Sequence, residues 1–167
     1  EAVALGLASS SGQNLAALQT AGLLTVDPPS TTTTVPDDGK GSKDALGYLH
    51  MNCGVSCHND NPNALCVGSH LYMRLSATDD FASDGGPSAV ASTPTYLTAV
   101  GVVPSVYSAQ FPVASGYHRI TSGDVALSEI PQVDGVRGQA YQMPPIATHQ
   151  VDEAGVGFVT TWITNTP

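Results

Sequence analysis

Basic residues are scarce in this 167-residue chain: five Lys and Arg stand against 14 Asp and Glu, a formal net charge of −9. Five scattered cations build no basic patch, which argues against a nucleic-acid partner. No run of about 18 apolar residues occurs, so no segment is expected to span a membrane. Aromatic residues make up only 6 % of the chain, whereas there are 17 glycines and 12 prolines. A core this poor in large side chains is easier to fill around a bulky apolar group. Catalytic fingerprints are missing too. There is no nucleophile elbow, phosphate loop or dinucleotide-binding glycine motif. The acidic pairs Asp37-Asp38, Asp79-Asp80 and Asp152-Glu153 are sequence neighbours that read as solvated turns and a helix start. The chain is therefore not expected to be an enzyme in its own right. Its acidity reads as solubility in an extracellular setting. It begins at Glu1 with no visible signal segment, as a processed protein or an excised fragment would.

Cysteine is also rare, at three residues, but two of the three sit in the most informative stretch, Tyr48-Leu49-His50-Met51-Asn52-Cys53-Gly54-Val55-Ser56-Cys57-His58. Two cysteines followed at once by a histidine form the pattern for covalent haem attachment when the spacing is C-x-x-C-H. Each thiol adds across one vinyl group, and the histidine ligates iron from beneath the ring. Here the spacing is one residue longer, C-x-x-x-C-H, and a local bulge at Gly54-Val55-Ser56 is expected to absorb it, with glycine lowering its cost. His58 is the candidate proximal ligand. Met143, in Gln142-Met143-Pro144-Pro145-Ile146, is the candidate distal ligand, because the prolines stiffen the loop that presents its sulfur. His149 is the reserve distal ligand. His50, His118 and His149 otherwise read as exposed or supporting histidines.

Cys66 and His70 keep other chemistries open. Cys53, Cys57, Cys66 and His70 form a set that suits tetrahedral zinc. A disulfide from Cys66 to Cys57 or Cys53 in a cofactor-free domain is the further alternative. With haem on Cys53 and Cys57, Cys66 is left as the one free thiol.

Along the chain, residues 14–24 read as a short amphipathic helix that must dock to be stable. Residues 27–39, rich in proline and threonine, read as an extended linker open to O-glycosylation, or as a surface strap. A second helix is expected from Ser42, with Ser42 as N-cap and Ala45, Leu46 and Leu49 on one face. It carries the cysteine motif at its end. Leu71, Met73 and Leu75 alternate as in an extended segment. Residues 78–122 read as mostly irregular, with a weak helix over 96–102. Val125, Ile130 and Val133 flank a loop. Asp152 opens a last helix with Val156, Val159, Trp162 and Ile163 on one face. Residues 1–41 are thus expected to be a helix-and-linker preface, and residues 42–167 a haem-binding domain.

In this order the chain resembles the C-terminal c-type cytochrome domain of large secreted bacterial proteins. The resemblance is carried by Gly12-Gln13-Asn14-Leu15-Ala16-Ala17-Leu18, Ala21-Gly22-Leu23-Leu24, Ala45 through Cys53, Cys57-His58-Asn59, and Leu71-Tyr72-Met73-Arg74-Leu75. It continues in Arg119-Ile120, Ser122-Gly123-Asp124, Met143-Pro144-Pro145, Val151-Asp152-Glu153-Ala154-Gly155-Val156 and Trp162-Ile163. It implies an all-α, class I cytochrome c-like fold with long irregular loops and one haem c, bound by Cys53, Cys57 and His58 with Met143 distal. The implied function is electron transfer to a redox partner protein or a neighbouring domain, in the periplasm or outside the cell. The chain departs from the family in its longer cysteine spacing and in carrying Cys66 and His70.

Overall fold

A computed structural model of the chain describes residues 15–25, 35–76, 87–104, 116–146 and 148–166. Among these residues the protein is mostly helical and forms no strand, with isolated bridges at Val100–Ile120, His118–Ser128 and Thr121–Asp124. The helices are α1 (Leu15–Thr20), α2 (Ser42–Leu49), α3 (Pro87–Ala91), α4 (Pro94–Ala99), α5 (Glu129–Asp134) and α6 (Glu153–Asn165). No helix among the described residues is long and apolar enough to cross a membrane. Residue 14 of the first expected helix, residues 27–34 of the expected linker, and residues 78–86 and 105–115 of the stretch read as irregular lie outside the described residues.

Helix α1 ends at Gly22, whose φ of 67° is open to glycine. The Gly22 N–H donates to Gln19 O (2.9 Å) and the Leu23 N–H to Leu18 O (3.0 Å), a closure that satisfies two terminal carbonyls. The side chains of Leu15, Ala16 and Ala17, on which the expected docking rests, lie outside those described; of residues 18–20 none is buried, and Leu23 is 70 % exposed.

The start of α2 corrects the expected cap. The N-cap position belongs to Gly41, at φ 100°, and Ser42 is the first helical residue. The Ser42 hydroxyl donates to Pro36 O (3.4 Å) and accepts from the Asp38 N–H (2.9 Å). Asp38 Oδ1 accepts instead from the N–H groups of Lys40 (2.8 Å) and Ser42 (3.4 Å). Burial disfavours the charged Asp38 carboxylate, but these hydrogen bonds outweigh it and hold its pKa below the usual value.

Helix α2 packs on α6. Ala45, Leu46 and Leu49 from one side and Val159, Trp162 and Ile163 from the other are each at most 1 % exposed. Each large side chain buried this way contributes about 1.5–3 kcal/mol. The Asp152 carboxylate caps α6 by accepting from the Gly155 N–H (3.1 Å), as its position before the helix suggests. Gly155 itself is where the Tyr48 ring crosses α6, and any Cβ there would collide with that ring. Tyr48 then reaches past α6 and donates its hydroxyl to Asp134 Oδ2 (2.9 Å), tying α2 to α5.

Helix α5 is a second correction: Ile130 and Val133 lie on a helix, not on the flanks of a loop. Its three-residue spacing of apolar side chains is too short a pattern to tell from a turn. The weak helix expected at 96–102 is α4, which starts earlier. Thr93 caps it by accepting from the Tyr96 N–H (3.2 Å), Pro94 opens the first turn, and the chain turns extended at Val100. Leu71, Met73 and Leu75 are buried while Tyr72 and Arg74 are only partly so, the alternation expected of an extended segment.

Candidate functional site

The cysteine motif is built by widening a helix. Helix α2 runs without a break into a π-helical turn, His50–Gly54, in which the Val55 N–H donates to His50 O (2.9 Å). A second wide closure follows, from the His58 N–H to Cys53 O (2.8 Å). Each such turn accommodates one residue more than an α-turn. The extra residue of the C-x-x-x-C-H spacing is thus taken up in the helix, starting upstream of the expected Gly54-Val55-Ser56 bulge.

Gly54 has a different reason to be glycine from the one expected. Its φ is not positive; it is a point of contact. A Cβ on Gly54 would stand 2.5 Å from the carbonyl carbon and oxygen of Met73 and 2.6 Å from the Arg74 nitrogen. The extended segment 71–76 crosses at that spot, held by the Met73 N–H donating to His58 O (2.7 Å). The Leu75 N–H donates to His50 Nδ1 (2.9 Å), so His50, 2 % exposed, is a buried structural group and not a surface histidine. Asn59 closes the turn from below, its Nδ2 donating to the carbonyls of Gly54 (2.8 Å) and Val55 (3.3 Å).

Beside this turn opens a cleft, about 800 Å³ of space when the open solvent in front of it is included. Cys53, Cys57 and His58 line one part of it. Met143, Pro144 and Pro145 line another, and Leu49, Leu71, Met73, Ile130 and Val133 supply apolar wall. All four residues expected to bind a cofactor therefore meet in one apolar space. His149 is exposed and does not line it.

His58 is 8 % exposed, and its Nδ1 lies 3.4 Å from Ser69 Oγ, so Nε2 is the nitrogen left to ligate. Burial lowers the imidazole pKa, a hydrogen bond to the Leu71 backbone opposes this, and nearby Arg119 lowers it further, which favours the neutral, ligating form. The Cys53 thiol is pushed up to about 12, by burial first and then by Asp134 and Cys57. The Met143 loop is tied at several points. The Met143 N–H donates to Val133 O (2.9 Å) of α5, Arg137 donates to Met143 O (3.2 Å), and Gln142 (3.2 Å) and Thr148 (3.1 Å) donate to Pro144 O. The Met143–Pro144 peptide is cis.

Searches for relatives return nothing: no family model, curated protein or solved structure matches the chain.

Three charged residues in the cleft wall carry no expected role: Arg119, Glu129 and Asp134. Arg119 is 5 % exposed and donates to the carbonyls of Ser69, His70 and Thr98, pinning the loop behind His58. Burial raises the Glu129 carboxyl, against the pull of Arg119. Burial likewise raises Asp134, while the Tyr48 hydrogen bond and Arg137 pull it down. No local pattern marks these residues, since buried charges are distinguished by tertiary surroundings and not by spacing.

Of the alternative zinc set, Cys53, Cys57 and Cys66 line the cleft and His70 does not. His70 is exposed and lies beside Tyr72, with Nδ1 3.3 Å from the phenol oxygen. Among the described residues, no three His, Cys, Asp or Glu side chains converge as a metal set. All three cysteines are free thiols, but Cys66 also lines the cleft, on the same wall as Cys57.

Proposed function

We propose that this protein is a one-electron carrier holding a single haem c in the cleft, within a class I cytochrome c-like fold. The observation that carries the reading is convergence: the Cys53-Cys57-His58 turn and the Met143-Pro144-Pro145 loop, far apart in the chain, face one apolar space. The donor set fits the group, with two thiols, a neutral imidazole and a thioether against hydrocarbon walls. Bound there, haem supplies an iron one-electron couple, which a Met/His pair shifts to higher potential.

The chain's own residues do the rest. Cys53 and Cys57 offer the thiols for covalent anchoring. Ser69 and the Leu71 backbone fix the His58 ring so that Nε2 is presented. The bond from the Met143 N–H to Val133 O and the bond from Arg137 to Met143 O hold the Met143 backbone in place. Leu49, Leu71, Met73, Ile130 and Val133 keep water from the reacting region. No substrate bond is made or broken, so the protein serves as a carrier and not as an enzyme. Its partner is a redox protein or a neighbouring domain of a longer chain, outside the cytoplasm, where covalent haem attachment takes place.

The test is direct. Protein produced where c-type haem attachment operates should keep its Soret absorbance after denaturation and weigh one haem more than the polypeptide. Cys66 should then be its single alkylatable thiol. A bare-polypeptide mass with Cys53 and Cys57 both alkylated would overturn the reading. The shared cleft wall of Cys57 and Cys66 favours one rival, a haem-free module closed by a disulfide, and the same mass measurement separates the two.

A further inference from the structure

The loop between Cys57 and Cys66 is closed before any covalent bond is made. After His58, Asn59 Oδ1 accepts from the Asn61 N–H (3.0 Å), and Asn61 Oδ1 from the Asn63 N–H (2.9 Å). The Ala64 N–H then donates to Asn61 O (2.8 Å) and the Val67 N–H to Ala64 O (3.2 Å). These successive turns curl the chain back until Cys66 shares the cleft wall with Cys57, and Ser69, three residues on, reaches the His58 ring (3.4 Å). Downstream, Cys66 O accepts from both the N–H (3.0 Å) and the hydroxyl (2.7 Å) of Ser69, so the returning arm is fixed as well. Cys66 is partly exposed and its neighbour Leu65 is 81 % exposed, which leaves the pair open to a small reagent. Cys53, on the π-helical turn, lies outside this loop.

We propose that Cys57 and Cys66 are a reversible thiol–disulfide pair, and that closing it withdraws Cys57 from any bond its sulfur would otherwise make in the cleft. The chemistry balances with a low-molecular-weight disulfide such as oxidised glutathione. One protein thiolate attacks a sulfur of the reagent and releases one small thiol. The other protein thiolate then displaces the second small thiol from the mixed disulfide. Two electrons pass to the reagent, and the protons of the two cysteine thiols end on the two small thiols. A small dithiol reverses the sequence. A loop already held closed by hydrogen bonds needs little further ordering to take the bond, which favours this pairing over the other two.

Applied to haem, and here the inference rests on the proposed function, the oxidised pair would leave Cys53 alone to anchor the group. The reduced pair would permit two thioethers.

The experiment uses the full chain made in a reducing cytoplasm without haem attachment. It is equilibrated with oxidised glutathione, alkylated and mapped by mass spectrometry. A Cys57–Cys66 cross-linked peptide with Cys53 alkylated is the expected result. A cross-link to Cys53, or three thiols that only alkylate or carry glutathione, would overturn the proposal. Reduced and oxidised wild type, and the variant Cys66→Ser, are then offered haem. Loss of two-thioether attachment in oxidised wild type, restored by a dithiol and absent as an effect in C66S, supports the blocking role. Equal attachment before and after oxidation sinks that role. If the mapped disulfide forms but haem attaches in no state, the thiol pair stands and the haem reading fails.

Discussion

Replacing Gly54 by alanine tests the geometry on which the cleft depends. The new methyl would overlap the Met73 carbonyl at 2.5 Å and the Arg74 nitrogen at 2.6 Å, both backbone atoms that cannot rotate away. The segment 71–76 must therefore lift. Overpacking of this kind costs about 1–3 kcal/mol. Lifting also strains the bonds from the Met73 N–H to His58 O and from the Leu75 N–H to His50 Nδ1, each worth about 1 kcal/mol when lost. The expected destabilisation is on the order of 2–4 kcal/mol, read as a lowered urea midpoint at unchanged slope. Covalent haem incorporation should fall with it, because the displaced segment carries Leu71 and Met73 of the cleft wall. Gly47→Ala is the control. Gly47 lies in α2 with nothing within 4 Å of an added Cβ, so alanine there should be neutral or stabilising by up to about 1 kcal/mol. A G54A protein within about 0.5 kcal/mol of wild type would refute the close-contact reasoning.

Three further outcomes are expected. Met143→Ala should leave haem attached while removing the low-spin Met/His spectrum and lowering the potential; an unchanged spectrum would mean that another group is the distal ligand. Deleting Val55, whose N–H closes the wide turn to His50 O, should return the segment to regular helix and the two-residue spacing with haem still attached. Loss of attachment would show that the wide turn is required and is no tolerated insertion. Glu129→Gln should give a pH-dependent gain in stability. The Glu129 pKa is raised by burial, so its native-state contribution is complete below the unfolded glutamate value and is lost as pH rises through the folded value. The variant should therefore exceed wild type in urea midpoint at neutral pH, with the gap narrowing on acidification. A difference that does not vary with pH would show that Glu129 titrates normally.

Local pattern alone was enough to locate α6, because Val159, Trp162 and Ile163 recur at helical spacing behind a capping Asp152. It was enough for the apolar face of α2 and for the alternation of Leu71, Met73 and Leu75, since both periods are imposed by backbone geometry. It also singled out Cys53, Cys57 and His58 by their short spacing, and Met143 by the two prolines that follow it. Tertiary structure decided what no window of sequence contains. Gly54 is glycine because a distant segment crosses it, and His50 is buried because that same segment donates a hydrogen bond to it. The roles of Arg119, Glu129 and Asp134 depend on burial beside one cleft, and the shared wall of Cys57 and Cys66 on a series of asparagine turns. Periodicity records which face of an element is apolar; it carries no record of which other element will come to lie against it.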